Sequence, residues 1–447
     1  MSLSHHSRTA AVWFAGAALV GAFLSSRAWT HTGVGPPSDV DRAAQTYLQL
    51  VAALVRRDPD SASGDTSMRA AAADRDAKAM PLSAIAAQAH EAADTLRDPA
   101  VTVTRNRDTQ PVDVVANRRA WLTAQLGALA TRAALLSGTR VTLDEELRQL
   151  FGIERISTVD ENLPSIRARL DQLLSGSGTA AVRLEAFDSS VTVPADKLPA
   201  VFERALDECR VRTKARVAMP EGESVSVEFV VGKPWSAFST YVGQARSVIA
   251  VNTSYPLTVD RVLQLACHEG YPGHHLLNTT RDERRALGRP ELGAVPLFSP
   301  EAFAAEAFAS TAAAQVYTDA ERLRFERDVL FPLAGLPSED AEAHVMVARL
   351  VDRLAPAIGV VLRRYLAGER DYIETTWALQ SDALMQHPQT TLFFANQFRG
   401  LSLAYTQGAL AHSRTGATNM LDGSGFAGGP VIISSNGHHS SASSGGR

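Results

Sequence analysis

The chain has 447 residues, 45% of them apolar, and a formal net charge of −4. That is enough for one large or two ordinary domains with a sizeable core, and the charge leaves no basic patch for nucleic acid. Aromatic residues make up only 6% and alanine is abundant, which favours packed helices over a sheet-rich fold.

Residues 1–28 read as an export signal. His5, His6 and Arg8 precede an uncharged run from Thr9 to Leu24, and Ser26-Arg27-Ala28 offers a small-x-small cleavage site. The run is short for a bilayer span. The alternative is an uncleaved N-terminal anchor, because the run carries Trp13, Phe14 and Phe23 and its basic flank is weak. No Cys follows it, which disfavours lipid attachment. The expected location is the periplasm or outside the cell, with a membrane as partner only if this segment is retained.

A helical region is expected over 38–220. Ser38 caps a helix to Arg57 with Ala43, Tyr47, Leu50, Val51 and Leu54 on one side. Residues 58–80 are rich in Ala, Asp and Ser and read as a loop or weak helix. Pro81–Arg97 and Val112–Ser137 read as helices, and Thr142-Leu143-Asp144-Glu145 as a capping box opening another. Leu163, Ile166, Leu170, Leu173 and Leu174 make a further helical stripe that ends at Gly176. Val182–Val193 shows short alternating segments, and Pro194–Val217 returns to helix. Cys209 continues the stripe of Leu198, Phe202 and Ala205, so a buried thiol is expected. An oxidising compartment permits a bridge to Cys267, but two Cys make no disulfide framework.

From residue 221 to 415 the pattern changes. Val225–Val231, Ala237–Val242 and Ser247–Asn252 carry β-branched residues between turns at Gly232-Lys233-Pro234 and Gly243-Gln244-Ala245, which predicts a small antiparallel sheet. Thr258 then caps a helix whose apolar positions are Val259, Val262, Leu263, Leu265 and Ala266. On its last turns stand Cys267-His268-Glu269-Gly270-Tyr271-Pro272-Gly273-His274-His275, three imidazoles and a carboxylate in an apolar setting. Such a cluster predicts a metal site.

The zinc peptidase signature H-E-x-x-H places its two His four residues apart on one helical face. Here His268 and His274 are six apart, so a regular helix points their rings roughly 120° from one another. Pro272 lacks an N–H and its ring presses on the carbonyl of His268, while Gly273 tolerates φ > 0. A bulge or broken turn at Pro272-Gly273 brings His274 back toward His268. The plain alternative is a helix end with solvated His.

Two imidazoles leave zinc short of a ligand. Downstream, Ser299 caps a helix with Pro300 in its first turn, and Glu301 sits where the helix dipole favours an anion. Glu306 has no such reason for its place: it lies within Ala302-Phe303-Ala304-Ala305-Glu306-Ala307-Phe308-Ala309, where a buried carboxylate is costly unless paired or metal-bound.

The segment His268–His275 resembles the H-E-x-x-P-G-H-H signature of the bacterial domain-of-unknown-function family numbered 885, grouped with the zincin-like metallopeptidases. Glu306-Ala307-Phe308-Ala309 is similar to that family's E-G-W-A, with Ala for Gly and Phe for Trp. The resemblance covers roughly Val225 to Ala411. It implies a mainly helical zincin-like fold with a small antiparallel sheet before the metal-binding helix. It also implies one Zn²⁺ held by His268, His274 and Glu306, a peptide substrate, and hydrolysis through activated water with Glu269 as general base. His275 is read as a group supporting the site or the substrate, or as the ligand in place of His274; the resemblance favours His274.

Tyr405 and Gly408 resemble a Tyr-x-x-Gly segment near the family's C-terminus, which makes Tyr405 the expected oxyanion donor, with Arg399 an anchor for a substrate carboxylate. Helices are expected over Glu339–Ala367 and Asp371–Met385, with His344 on a helix surface and His387-Pro388 in a loop. Residues 416–447 are Gly/Ser-rich and expected to be disordered. Two other functions use the same residues: a non-catalytic or metal-free binding protein, and a metal-dependent amidase or esterase.

Overall fold

The computed structural model describes residues 37–62, 79–97, 112–154, 163–233 and 235–404. The export segment, the stretch at 63–78, Tyr405 and the Gly/Ser-rich tail lie outside them. The described chain is mainly helical with one small sheet.

Helices span Asp39–Arg57, Leu82–Arg97, Val112–Leu136, Leu143–Phe151, Leu163–Leu173, Ala180–Ser190 and Leu198–Lys214. The first three pack into one core around Tyr47, Leu50, Leu54, Ile85, Leu122 and Leu126. Thr142 accepts from the Glu145 N–H while the Glu145 side chain returns to the Thr142 N–H, completing the expected capping box. The alternating segments read at Val182–Val193 are instead mostly helix. Thr179 caps that helix by accepting from the Val182 N–H, and the alternation shows only in the final bridge of Thr192 to Thr258.

The described residues from Asp39 onward form one compact unit, in which the helices before residue 220 pack with the elements after it. The joints are polar groups withdrawn from water: Tyr47 Oη donates to the Ala294 carbonyl at 2.7 Å, and Arg118 Nε to Glu291 at 2.8 Å.

The sheet has three strands, β1 (Ser224–Val230), β2 (Ala237–Gly243) and β3 (Arg246–Asn252), in the order β1-β3-β2. It is mixed rather than antiparallel. β2 and β3 form a hairpin through Gln244 and Ala245, both at φ 55°, whereas β1 runs parallel to β3 with Val227 opposite Ile249. The reason is burial: β3 carries Ser247, Ile249 and Val251 toward the core and takes the centre, while β1 alternates between exposed and half-buried and takes an edge.

Behind the sheet lies the largest core, in which the Leu198–Lys214 helix packs on the Val259–Glu269 helix. Cys209 and Cys267 are both fully buried there and joined as a disulfide, which corrects the expectation of a buried free thiol. The bridge closes a loop of 58 residues and ends on the residue before His268. Replacing both Cys by Ala is expected to cost about 3 kcal/mol of stability, read as a lower denaturation midpoint in urea under non-reducing conditions.

Downstream helices run Pro300–Ala309, Ala312–Val316, Asp319–Phe325, Phe331–Ala334, Ala341–Asp352, Ala355–Leu366, Tyr372–Asp382 and Pro388–Phe398. A π-helical turn at Glu326–Leu330 joins two of them. The single helix expected over Glu339–Ala367 is two, broken before Ala355-Pro356, where Pro takes a first-turn position. His344, expected on a surface, is 2% exposed; its Nε2 accepts the Asp260 N–H at 3.0 Å, and burial lowers its pKa to about 4. Among the described residues no helix is long and apolar enough to cross a membrane.

Candidate metal centre

The helix that carries the first imidazole starts at Thr258, whose side chain accepts the Arg261 N–H, and ends after Glu269. Its C-terminal residue Gly270 donates to the Ala266 carbonyl at 3.0 Å, and a Cβ there would lie 2.3 Å from Leu206 Cδ1. The Tyr271–Pro272 peptide is cis. Gly273 then donates to the Cys267 carbonyl at 3.1 Å, and a second helix, His274–Ala286, begins.

The broken turn expected at Pro272-Gly273 is therefore a complete break between two helices. Its glycine does not take the φ > 0 expected: Gly273 has φ −68°, and a Cβ would stand 1.8 Å from the His268 carbonyl oxygen. Only a residue without a side chain lets the chain pass that close to the first imidazole's backbone.

The break sets the His268 and His274 rings 4.8 Å apart, nearly perpendicular. The Pro300–Ala309 helix, capped by Ser299 accepting the Ala302 N–H, brings the third group. Small residues let it approach closely, and Ala305 and Phe308 pack on Leu277 of the second motif helix. Glu306 Oε1 lies 3.2 Å from His274 Nε2, and Glu306 Oε2 lies 3.6 Å from His268 Nε2. These separations bracket the ~3.4 Å edge of a tetrahedron with bonds of about 2.1 Å. One ligand atom from each of the three residues lies within 4.8 Å of the others, the one such group of His, Cys, Asp or Glu among the described residues.

The electrostatics fit a cation. Glu306 Oε2 is buried and has no hydrogen-bond partner, a cost that a bound ion removes. Burial raises the Glu306 pKa, but the positive charge of His274 and the nearby His268 imidazole more than reverse this, and the carboxyl is held well below its usual range. Burial lowers the His274 pKa, and Glu306 outweighs it, leaving the imidazole above its ordinary value. Glu269 is 5% exposed, with Oε1 3.9 Å from His268 Nε2, close enough to act on a molecule held by the trio.

Other expected residues go elsewhere. His275 is 1% exposed and turned toward the sheet: Nδ1 faces Ser247 Oγ at 2.8 Å and Nε2 faces Glu223 Oε2 at 3.2 Å. It neither joins the trio nor has a surface to offer a substrate, because both ring nitrogens are spent. Glu301 is held by Arg281 at 2.8 Å and Trp121 Nε1 at 2.8 Å, so it is a buried ion-pair partner and not a ligand. Arg399 donates to Glu146 at 3.1 Å, and Glu146 also accepts the Gly400 N–H at 2.9 Å; this ties Arg399 to the Leu143–Phe151 helix. Tyr405 lies outside the described residues.

Glu223 was not foreseen from sequence. It receives Tyr271 Oη, Arg210 Nε at 2.6 Å and the His275 ring. Burial raises its pKa, but hydrogen bonds from His275, Tyr271 and Arg210 hold it at about 2. This one carboxylate grips the residues on both sides of Pro272-Gly273-His274 and so fixes the turn that delivers the second imidazole. Glu223 stands 48 residues from Tyr271, in a loop with no periodic pattern, and only Tyr271, an aromatic inside the motif, hinted at a partner.

No family model matches the chain, and no curated protein does so with significance. Among solved structures it is similar to the crystal structure of a putative lipoprotein from Colwellia psychrerythraea, at 14% identity and a TM-score of 0.42. The match covers 76% of this chain and 65% of that one, so the chain spans somewhat under two thirds of its length.

Proposed function

We propose that the protein is a zinc-dependent hydrolase that cleaves peptide bonds, with His268, His274 and Glu306 holding one Zn²⁺. The observation that carries this reading is the convergence of two imidazoles with a buried carboxylate whose Oε2 has no other partner. The resemblance of His268–His275 to the zincin-like family points the same way.

Bound there, the ion supplies Lewis acidity, polarising a carbonyl and making water a stronger acid. Glu269 does the proton work. Its carboxylate takes a proton from the attacking water and returns it to the leaving amine.

Secretion or a periplasmic location belongs to the same proposal. The export-like segment supports it, and so does the buried Cys209–Cys267 bridge, since such bonds persist in oxidising compartments.

The test is metal analysis of the purified protein followed by digestion of a mixed peptide library. One equivalent of zinc is expected, with cleavage lost on chelation and restored by Zn²⁺. A protein that takes up no zinc, or that cleaves equally with chelator present, is not this enzyme.

A further inference from the structure

The Val259–Glu269 helix is buried on every side but one. Among its eleven residues only Arg261, Gln264 and His268 escape full burial, at spacings of three and four that make a single stripe. That stripe includes the ligand His268, and Arg261 stands at its far end, on the same face of the helix. Seven residues of helix place the two side chains about 10 Å apart along the axis, the span of about three extended peptide residues.

Arg261 is also unusually available. Its guanidinium meets Gln264 Oε1 at 3.4 Å and, among the described residues, forms no ion pair within 4 Å. It is exposed, yet protein crowding lowers its pKa against the opposing pull of Asp352 and Glu269. Asp352 has the same character: exposed, but crowded enough that its pKa is raised, and receiving Gln264 Nε2 at 3.2 Å. Gln264 thus stands between the two, touching Arg261 through Oε1 and Asp352 through Nε2.

We infer that Arg261 is the carboxylate anchor of this helix face, holding an anionic group of the peptide about three residues from the bond that is cleaved. The role assigned by sequence to Arg399 thus passes to a residue on the metal-binding helix itself. The inference rests on the peptidase reading for its substrate, but not for its test. A planar guanidinium offers two parallel N–H groups to a carboxylate, and such charged hydrogen bonds discriminate strongly against a neutral amide.

The test measures binding to the zinc-loaded Glu269→Gln protein by calorimetry, so that no turnover is needed. The probes are N-acetylated alanine pentapeptide as the free acid, the same peptide as its C-terminal amide, and the amide with one internal Glu. The free acid is expected to bind about 10- to 100-fold more tightly than the plain amide. Arg261→Gln should abolish that difference, and Arg261→Lys should restore part of it. If the Glu-containing amide alone matches this behaviour, the carboxylate comes from a side chain and the anchor stands.

Equal affinities for all three peptides overturn the inference. So does an acid preference that survives Arg261→Gln, which places the carboxylate on the ion. Discrimination that depends on Arg261 in a protein whose unmutated form cleaves nothing leaves the anchor standing and removes the peptidase reading.

Discussion

Glu269→Gln is expected to reduce peptide hydrolysis by about 10²- to 10⁴-fold while zinc remains bound, because the amide keeps the shape of the carboxylate but cannot take a proton. The geometry explains the separation of effects. Glu269 is 3.9 Å from His268 Nε2 and 5% exposed, beside the trio and not among its three members. Single-turnover rates on a cleaved library peptide, with zinc measured on the same sample, check both halves. Activity retained in this variant removes Glu269 as general base, and zinc lost with it makes Glu269 a ligand. A binding protein with no catalytic function predicts no rate to lose.

Glu306→Ala is expected to act on the metal first, weakening zinc binding by about 10³-fold. A complete structural zinc site supplies roughly 10–16 kcal/mol, and one of three protein ligands accounts for about a third of the lower end or slightly more. Competition with a chelator of known affinity measures it. The same residue sets the acid–base behaviour of the metal-free protein. The Glu306 pKa lies below the ordinary 4.5, so its contribution to stability is present above about pH 4.5 and fades as pH falls through the depressed value. The His274 pKa lies above 6.5, so its contribution is present below about pH 6.5 and fades as pH rises through the raised value.

The pair therefore stabilises the metal-free chain most between about pH 4.5 and 6.5. Zinc competes with the proton on His274, so stabilisation by zinc grows as pH rises. Melting temperatures against pH, with and without chelator, should show this crossing. In Glu306→Ala the metal-free optimum in that window disappears. An unchanged profile would falsify the assignment of Glu306 to the trio.

Much of the local structure was legible because it is written in neighbouring residues. Thr142, Thr258 and Ser299 each cap the helix that follows, as their hydroxyls and the downstream apolar spacing required. The break at Pro272-Gly273 followed from a missing N–H and a missing side chain. Glu306 stood out because a lone carboxylate among alanines has to be satisfied by something. The sheet was harder: its three strands were visible, but their order was not, since alternation identifies a strand without naming its partner.

The sequence alone determined the helical class, the capped ends, the break in the motif and the identity of the acid that meets the two imidazoles. Tertiary structure alone decided the mixed sheet, the Cys209–Cys267 bridge, the turning of His275 toward Glu223, the binding of Arg399 to Glu146, and the single open stripe that leads from His268 to Arg261. The first set depends on sterics and hydrogen bonds within a few residues. The second depends on which distant groups share a desolvated space, and pattern along the chain carries no record of that.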